Sequence, residues 1–277
     1  MRLILLGTAG GPTPKVTRAA PAQVLVVDGV SYLVDCGNGV ARQLALASVP
    51  LTSLAHVFVT HHHTDHNADL LTVVLLAWAS GLDRRVVLHG PPPIGAMVES
   101  LLAAHARDVA VRADDEGRPR LAVDVHEIDA PGVVLEDGRV RVTAAIVEHG
   151  PMAPALAYRF DAAGRSIALS GDTAPCDALV RLATGADVLV HEVMHVPSLD
   201  RLLAQDPGAR RLREHLVRTH TPVDAVGAIA ARAGVATLCL THFVPGEGAI
   251  TEEGWIDEAR HGYGGRVIAG RDLLDVP

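Results

Sequence analysis

The 277-residue chain is short of several things, and each shortage narrows what it can be. Its three cysteines, Cys36, Cys176 and Cys239, are scattered and never spaced as Cys-x-x-Cys, so no disulfide framework is encoded. Aromatic residues make up 3% of the chain against 49% hydrophobic residues overall, which leaves a core of Ala, Val and Leu. Positive charge is scarce. There are 24 Lys and Arg against 32 Asp and Glu, a net charge of −8, and Lys15 is the sole lysine. General nucleic-acid binders carry a basic face, so this balance argues against one, although a local basic patch is compatible with it. No stretch reaches the ~18 continuous apolar residues of a membrane span. The apolar run from Met1 to Gly7 lacks the longer core and cleavage site of a signal peptide. The chain therefore reads as a soluble, cytoplasmic protein without a membrane role.

Linkers are missing too. No low-complexity segment divides the chain, and each half shows strands followed by strand–helix alternation, so residues 1–277 are expected to form one α/β domain of two similar halves packed sheet to sheet. In the first half, strands are expected at 3–6, 22–28, 31–36, 56–59 and 86–89, with a hairpin turn at Asp28-Gly29. Helices are expected at 38–47, 68–80 and 94–105, and Arg112 to Pro119 reads as a surface loop. Alternating polarity predicts strands at 121–128, 133–136, 139–148, 156–160 and 166–170, with a turn at Ala163-Gly164. Helices at about 175–184, 207–218, 222–233 and 252–261 then alternate with strands at 187–190, 236–241 and 266–269. Thr221 reads as an N-cap, with Pro222 at the first helical position and Asp224 in the first turn.

Against these absences stands one dense feature, Thr60-His61-His62-His63-Thr64-Asp65-His66, directly after an apolar strand. His61 and His63 are two apart, so in an extended segment their rings point the same way. Asp65 and His66 follow on the turn, where they can serve a second ion. A catalytic zinc needs about three protein ligands and a water, so further ligands must come from elsewhere. Three candidates stand where apolar strands run out: His149 after Val140–Val147, Asp172 after Ser166–Ser170, and His242 after Thr237–Thr241. Taken singly, each could be an ordinary strand-end polar residue.

In combination the motifs resemble the metallo-β-lactamase superfamily, and within it the branch of ribonuclease Z, arylsulfatase-like enzymes and small phosphodiesterases. Leu6-Gly7-Thr8-Ala9-Gly10-Gly11-Pro12-Thr13 resembles that branch's first strand and loop, Leu33-Val34-Asp35-Cys36-Gly37-Asn38-Gly39 its second motif, and Ala269-Gly270-Arg271-Asp272-Leu273 extends the match nearly to the C-terminus. The resemblance implies a four-layer αββα sandwich, two mixed sheets face to face with helices outside. It implies two zinc ions, with manganese or iron as alternatives. His61, His63 and His149 would hold one ion, Asp65, His66 and His242 the other, and Asp172 would bridge both. A hydroxide between the ions would be the nucleophile. Asp65 counts among the catalytic residues as well as the ligands. Asp35 would orient a ligand imidazole by hydrogen bond, or else cap the Gly37-Asn38-Gly39 turn.

The same branch carries a Glu and a His that relay a proton to the leaving group. Glu192, in Val190-His191-Glu192-Val193-Met194-His195, and His220, in Arg218-Thr219-His220-Thr221-Pro222, match them; the flanking residues do not. A carboxylate beside an imidazole raises its pKa and fixes its tautomer, which suits a general acid. The bland alternative is a structural hydrogen-bonded pair. His191 and His195 flank the Glu and are candidates for substrate contact. His62 points away from His61 and His63. His56, His89, His105, His126, His215 and His261 read as ordinary histidines, and Cys36 as a small buried residue. Arg201, Arg210, Arg211, Arg213 and Arg218 make a locally basic stretch, either a solvated helix face or a phosphate contact.

Ribonuclease Z proper carries a tRNA-binding arm between the third His motif and the bridging Asp. Here His149 and Asp172 are 23 positions apart (172 − 149), which holds one hairpin and no arm. With the acidic balance, this points to a small anionic or ester substrate, with long nucleic acid a poor one. The expected reaction is hydrolysis of a small phosphodiester or ester, with a lactone or aryl sulfate as alternatives. A mononuclear iron oxidoreductase of the same fold and a metal-binding structural protein are the readings from other classes. Pocket walls are expected from residues 12–20, 91–95, 150–155 and 195–215. A homodimer is expected only by analogy of fold.

Overall fold

The structure, a computed structural model, describes residues 1–162, 164–204, 208–248 and 250–277. Its first half runs β1 (Arg2–Gly7), β2 (Ala22–Val27), β3 (Val30–Val34), α1 (Val40–Leu46), β4 (Leu54–Phe58), α2 (Thr64–Asn67), α3 (Leu70–Ala79), β5 (Val86–Gly90), α4 (Ile94–Asp115) and β6 (Val123–Glu127). The second runs β7 (Gly132–Glu136), β8 (Arg141–Val147), β9 (Ala155–Ala162), β10 (Arg165–Leu169), α5 (Asp177–Ala183), β11 (Val188–Met194), α6 (Val196–Leu202), α7 (Ala209–Thr219), α8 (Val223–Ala233), β12 (Thr237–Val244), α9 (Glu252–Ala259), β13 (Arg266–Ala269) and β14 (Leu274–Val276).

The strands form two seven-stranded mixed sheets, ordered β14-β1-β2-β3-β4-β5-β6 and β13-β12-β11-β10-β9-β8-β7. From β3 to β6, and from β10 to β13, neighbours are parallel; the remaining pairs are antiparallel. Leu3, Leu25, Tyr32 and Phe58 of one sheet share a core with Val142, Tyr158, Phe160, Ile167 and Val190 of the other, so the sheets pack face to face. Their outer faces are covered by α1, α3 and α4 on one side and by α5, α8 and α9 on the other. This is the expected αββα order, and it follows from strands buried on both faces, such as Val188–Met194, which is buried at every position.

The β2–β3 hairpin turns at Asp28 and Gly29, both at positive φ (48° and 75°), as a two-residue turn of that composition requires. Several other expectations are corrected. The helix from 94 reaches Asp115, so Arg112 is helical and not part of a loop. Its guanidinium pairs with Asp108 and Glu116 one turn either side, and the helix stops before Gly117 at φ 65°. The helix expected over 68–80 is present as α3, but a separate short helix, α2, precedes it, and between the two the Asp69 carboxylate accepts from the Gly39 amide at 2.6 Å. Thr221 does not cap α8. Pro222 occupies that position, and the Thr221 hydroxyl donates to the Thr173 carbonyl at 2.6 Å. Helix α6 and strand β14 were not anticipated. Ala163 of the expected turn and position 207 of the expected 207–218 helix lie outside the described residues.

Candidate metal centre

All the candidate ligands gather at one rim of the sandwich, at or near the C-terminal ends of β4, β8, β10 and β12. Two hydrogen bonds between the sheets fix that rim. The Tyr158 hydroxyl of β9 donates to the Val59 carbonyl at 2.8 Å, and the Leu156 amide donates to the Thr60 carbonyl at 2.9 Å. The histidine run therefore leaves β4 clamped from the opposite sheet. Gly171, at φ 58°, lets the chain after β10 turn close beside it; a Cβ there would lie 2.7 Å from the Leu156 carbonyl oxygen and 3.1 Å from Thr60 Cβ.

His242 reaches the site by a different device. It does not end its strand, which continues to Val244. The β11–β12 register pairs Glu192 with Thr241 and Val193 with Phe243, so His242 is the extra residue of a β-bulge, at φ 45°. The bulge turns its ring out of the ladder and into the rim. Gly10 presses against it from the loop after β1; a Cβ there would come within 3.0 Å of His242 Nδ1.

Hydrogen bonds to the outer ring nitrogens determine which atoms face inward. The Thr60 amide donates to Asp35 Oδ1 at 2.8 Å and the Thr60 hydroxyl to Asp35 Oδ2 at 3.0 Å. That hydroxyl then accepts from His61 Nδ1 at 3.0 Å. His66 Nδ1 donates to Asp35 Oδ2 at 2.7 Å, and His149 Nδ1 to the Thr219 carbonyl at 2.9 Å. His61 and His149 are thus held with Nε2 unprotonated and aimed at the rim's centre, and His66, tied to Asp35 through Nδ1, aims its Nε2 there as well.

Two trios result. His61 Nε2 and His149 Nε2 lie 3.0 and 3.1 Å from His63 Nδ1. His66 Nε2 lies 3.2 Å from His242 Nε2, and Asp65 Oδ2 is 3.6 Å from each of the two. Asp172 Oδ2 sits between the trios, 3.3 Å from His242, 3.5 Å from His66, 3.8 Å from His61 and 3.9 Å from His149. Imidazoles at zinc–nitrogen distances in a tetrahedral shell stand ~3.3 Å apart, so these spacings suit a metal. Asp172 Oδ1 and His242 Nδ1 are buried without a hydrogen-bond partner. Seven residues (His61, His63, His149 and Asp172; Asp65, His66 and His242) thus offer ligand atoms in two neighbouring groups that fit divalent ions. A third convergence, Asp172, His220 and His242, overlaps them.

The electrostatics agree with a cation at the centre. Burial opposes charge on Asp172, but His242 and His66 outweigh it and hold the carboxyl well below its ordinary range. Asp65, likewise buried, is brought down to about 2 by its hydrogen bond to His242 and the charge of His66. Burial, followed by the neighbouring His66, pushes His61 well down, and burial takes His149 to about 4. His66 goes the other way. Asp172 and Asp35 overcome its burial and raise it, so a protonated ring balances the carboxylates where a cation would.

Glu192 and His220 lie at the edge of this cluster. Glu192 Oε1 accepts from His220 Nδ1 at 2.9 Å and from the Thr173 amide at 2.8 Å; both side chains are buried. Burial pulls the His220 pKa down, yet the Glu192 and Asp172 charges raise it to about 9. His220 follows α7 with extended backbone (φ −123°), which turns its ring inward, 5.1 Å from His149 and 5.8 Å from His242.

Other expectations part from the geometry. His191 is fully buried and donates through Nδ1 to the Glu192 carbonyl, and His195 is tied to Ser198 at 2.7 Å and Glu258 at 3.3 Å, so neither is free to meet a substrate. His62 bonds the Pro91 carbonyl at 2.8 Å, away from the centre. Cys36 is buried with its thiol pushed well up by burial, which makes it inert. Sequence reasoning missed Thr60, Thr173 and Thr219. Thr60 was open to notice as a hydroxyl beside the ligands. Thr173 and Thr219 act through backbone groups, which leave no residue-type signal.

A model of the Beta-lactamase superfamily domain matches residues 31–243. A protein named Ribonuclease Z from Mycobacterium bovis (strain BCG / Pasteur 1173P2) is 35% identical over 280 aligned residues, covering 99% of this chain and 96% of that protein. Among solved structures, the short form of human tRNase Z superimposes with a TM-score of 0.74 at 20% identity, covering 100% of this chain and 99% of that one. The metallo-beta-lactamase fold protein YhfI from Bacillus subtilis gives 0.71 at 22% identity, covering 99% and 98%.

Proposed function

The chain belongs to the beta-lactamase superfamily, in its ribonuclease Z group, and is a metal-dependent hydrolase of ester bonds; from that premise we propose that it cleaves phosphodiester bonds in RNA at a two-zinc centre. The observation that carries this reading is the pair of ligand trios joined by Asp172. On this reading His61, His63 and His149 would hold one ion and Asp65, His66 and His242 the other, with Asp172 placed to serve both.

Divalent ions bound there would supply Lewis acidity, lowering the pKa of a water and polarising phosphoryl oxygens. The chain's own residues do the rest. Asp35 and the Thr60 hydroxyl keep His66 and His61 in the ligand tautomer, and the Thr219 carbonyl does so for His149. Glu192 takes the Nδ1 proton of His220 in its hydrogen bond, which leaves the His220 Nε2 proton to be given to the departing oxygen. A pKa of about 9 keeps that proton in place at neutral pH. Burial of nearly the whole cluster strengthens each of these charges by excluding water.

The expectation of a small substrate rested on the net charge and the missing arm. The Mycobacterium bovis relative, matched over 96% of its length by this chain, has no insertion large enough for such an arm either, so its absence does not argue against RNA. A small phosphodiester is the second reading, favoured by the net charge of −8. Metal analysis of the purified chain, with turnover of an RNA bearing a 3′ tail measured beside bis(p-nitrophenyl) phosphate, tests both. About two zincs per chain with RNA turnover is expected. One iron per chain, or silence on both substrates, would overturn the proposal, and turnover of the small ester alone would favour the second reading.

A further inference from the structure

Helix α7 concentrates positive charge in a chain that is otherwise acidic. Its eleven residues carry Arg210, Arg211, Arg213 and Arg218 against Glu214 alone. These arginines are not equivalent. Ala209 and Leu216 pack inward on the α6 cluster of Met194, Leu199 and Leu203, and Arg213 is held to Asp200 of α6 at 3.0 Å. Arg210 is paired with Glu214 at 3.2 Å. At about 100° per residue, the flank opposite Ala209, Arg213 and Leu216 carries Arg211, His215 and Arg218, together with Glu214, whose charge is taken up by Arg210. Arg211 and Arg218 are exposed and have no ion-pair partner among the described residues. Seven residues of helix separate them by about 10 Å along the axis.

The stripe leads into the site. Thr219, one residue beyond Arg218, gives its carbonyl to His149, its methyl faces Gly150, and His220 follows. The charges of His220 and Arg218 both bear on His215.

We infer that Arg211, His215 and Arg218 form an RNA phosphate-binding track that leads the substrate strand along α7 to the metal centre. This rests on the RNA reading above. Charge complementarity identifies the occupant: two unpaired guanidiniums on one exposed flank, beside a phosphodiester-cleaving centre, suit a polyanionic backbone, and guanidinium forks match phosphate geometry. The −8 balance of the whole chain makes a local track the place where such binding must concentrate.

The test measures binding apart from cleavage. The affinity of the full-length chain for a blunt, 5′-fluorescein RNA hairpin is read by fluorescence anisotropy between about 50 and 200 mM salt. Arg211→Ala/Arg218→Ala is expected to weaken binding about tenfold and to flatten the dependence of log affinity on log salt by about 1.8, the loss of two phosphate contacts at about 0.9 each. Arg211→Lys/Arg218→Lys, which keeps the charge, should retain most of the affinity. Arg84→Ala/Arg120→Ala removes the same charge at the opposite ends of the strands and should leave binding unchanged. If the α7 variant binds as wild type, or the two alanine pairs lose affinity equally, the track is overturned. Turnover of bis(p-nitrophenyl) phosphate by the wild-type chain tests the hydrolase reading separately, so each can fail alone.

Discussion

Glu192 holds Nδ1 of His220 at 2.9 Å across 28 positions of sequence, in a pocket where both are buried. A buried imidazole alone would lose its proton. The carboxylate, with Asp172, reverses that and raises His220 to about 9. The charged ring is then present below about pH 9 and lost above it. Activity that uses its proton should fall as pH rises through that value.

Glu192→Gln keeps the shape and removes the charge. The alkaline limb of kcat/KM should shift from near 9 toward the ordinary histidine value of ~6.5. At pH 8, RNA turnover should drop by about 30-fold as the protonated fraction of His220 falls, while p-nitrophenyl esters, whose leaving group needs little protonation, should suffer less. An unmoved pH profile would remove the acid role from His220.

Asp35→Asn tests orientation of the ligands. Asp35 accepts from the Thr60 amide, the Thr60 hydroxyl and His66 Nδ1, and an amide side chain brings donors of its own into that fully donor-lined space. Metal affinity should fall about 10- to 100-fold, measured by competition with a chelator. Unchanged affinity would leave Asp35 a structural anchor for Thr60 rather than an orienter of the candidate ligands.

The ligand set was open to sequence reasoning because His61, His63, Asp65, His66, His149 and Asp172 follow short apolar strands, where chain direction and burial are both readable. His242 was found as a residue and misplaced as a strand end. Its bulge arises from the register between β11 and β12, which no local pattern encodes. The C-terminal half of α4 was missed because its exposed, charged residues look like loop, and β14 because three residues are too short to show alternation; its partner β1 lies at the other end of the chain. Packing of two halves sheet to sheet was readable from the strand–helix alternation in each, and the four-layer order from the family resemblance. The assignment of Thr219 to His149 was not, since a carbonyl carries no residue identity.

Asp172 lies within 4.0 Å of four candidate ligand imidazoles, His61, His66, His149 and His242, and of His220, so its loss should affect both trios together. Asp172→Ala is expected to carry less than one metal per chain by mass spectrometry and to lose activity on every substrate. Stripping metal from the wild type with a chelator should lower its melting temperature, because binding to the folded chain alone stabilises it. An apo protein melting with the holo form, or an active Asp172→Ala loaded with two ions, would refute the bridging role.

His89, read from sequence as ordinary, makes a separate pH prediction outside the candidate ligand set. It stacks on Phe58 with ring centroids 4.4 Å apart, and its Nε2 lies 3.1 Å from His56 Nδ1, while its own Nδ1 has no partner. Burial, with the nearby His56 and His126, lowers its pKa to about 3. Folding therefore requires the neutral ring. The stability it contributes is complete above the unfolded value of ~6.5 and is lost as pH falls from there toward about 3, up to roughly 5 kcal/mol in all. Urea unfolding between pH 7.5 and 4.5 should show that decline, and His89→Gln, which cannot titrate, should flatten it by about 1.4 kcal/mol per pH unit. Equal slopes in the two proteins would mean that His89 takes up its proton without unfolding the sheet, and that the acid sensitivity belongs to the metal-binding imidazoles instead.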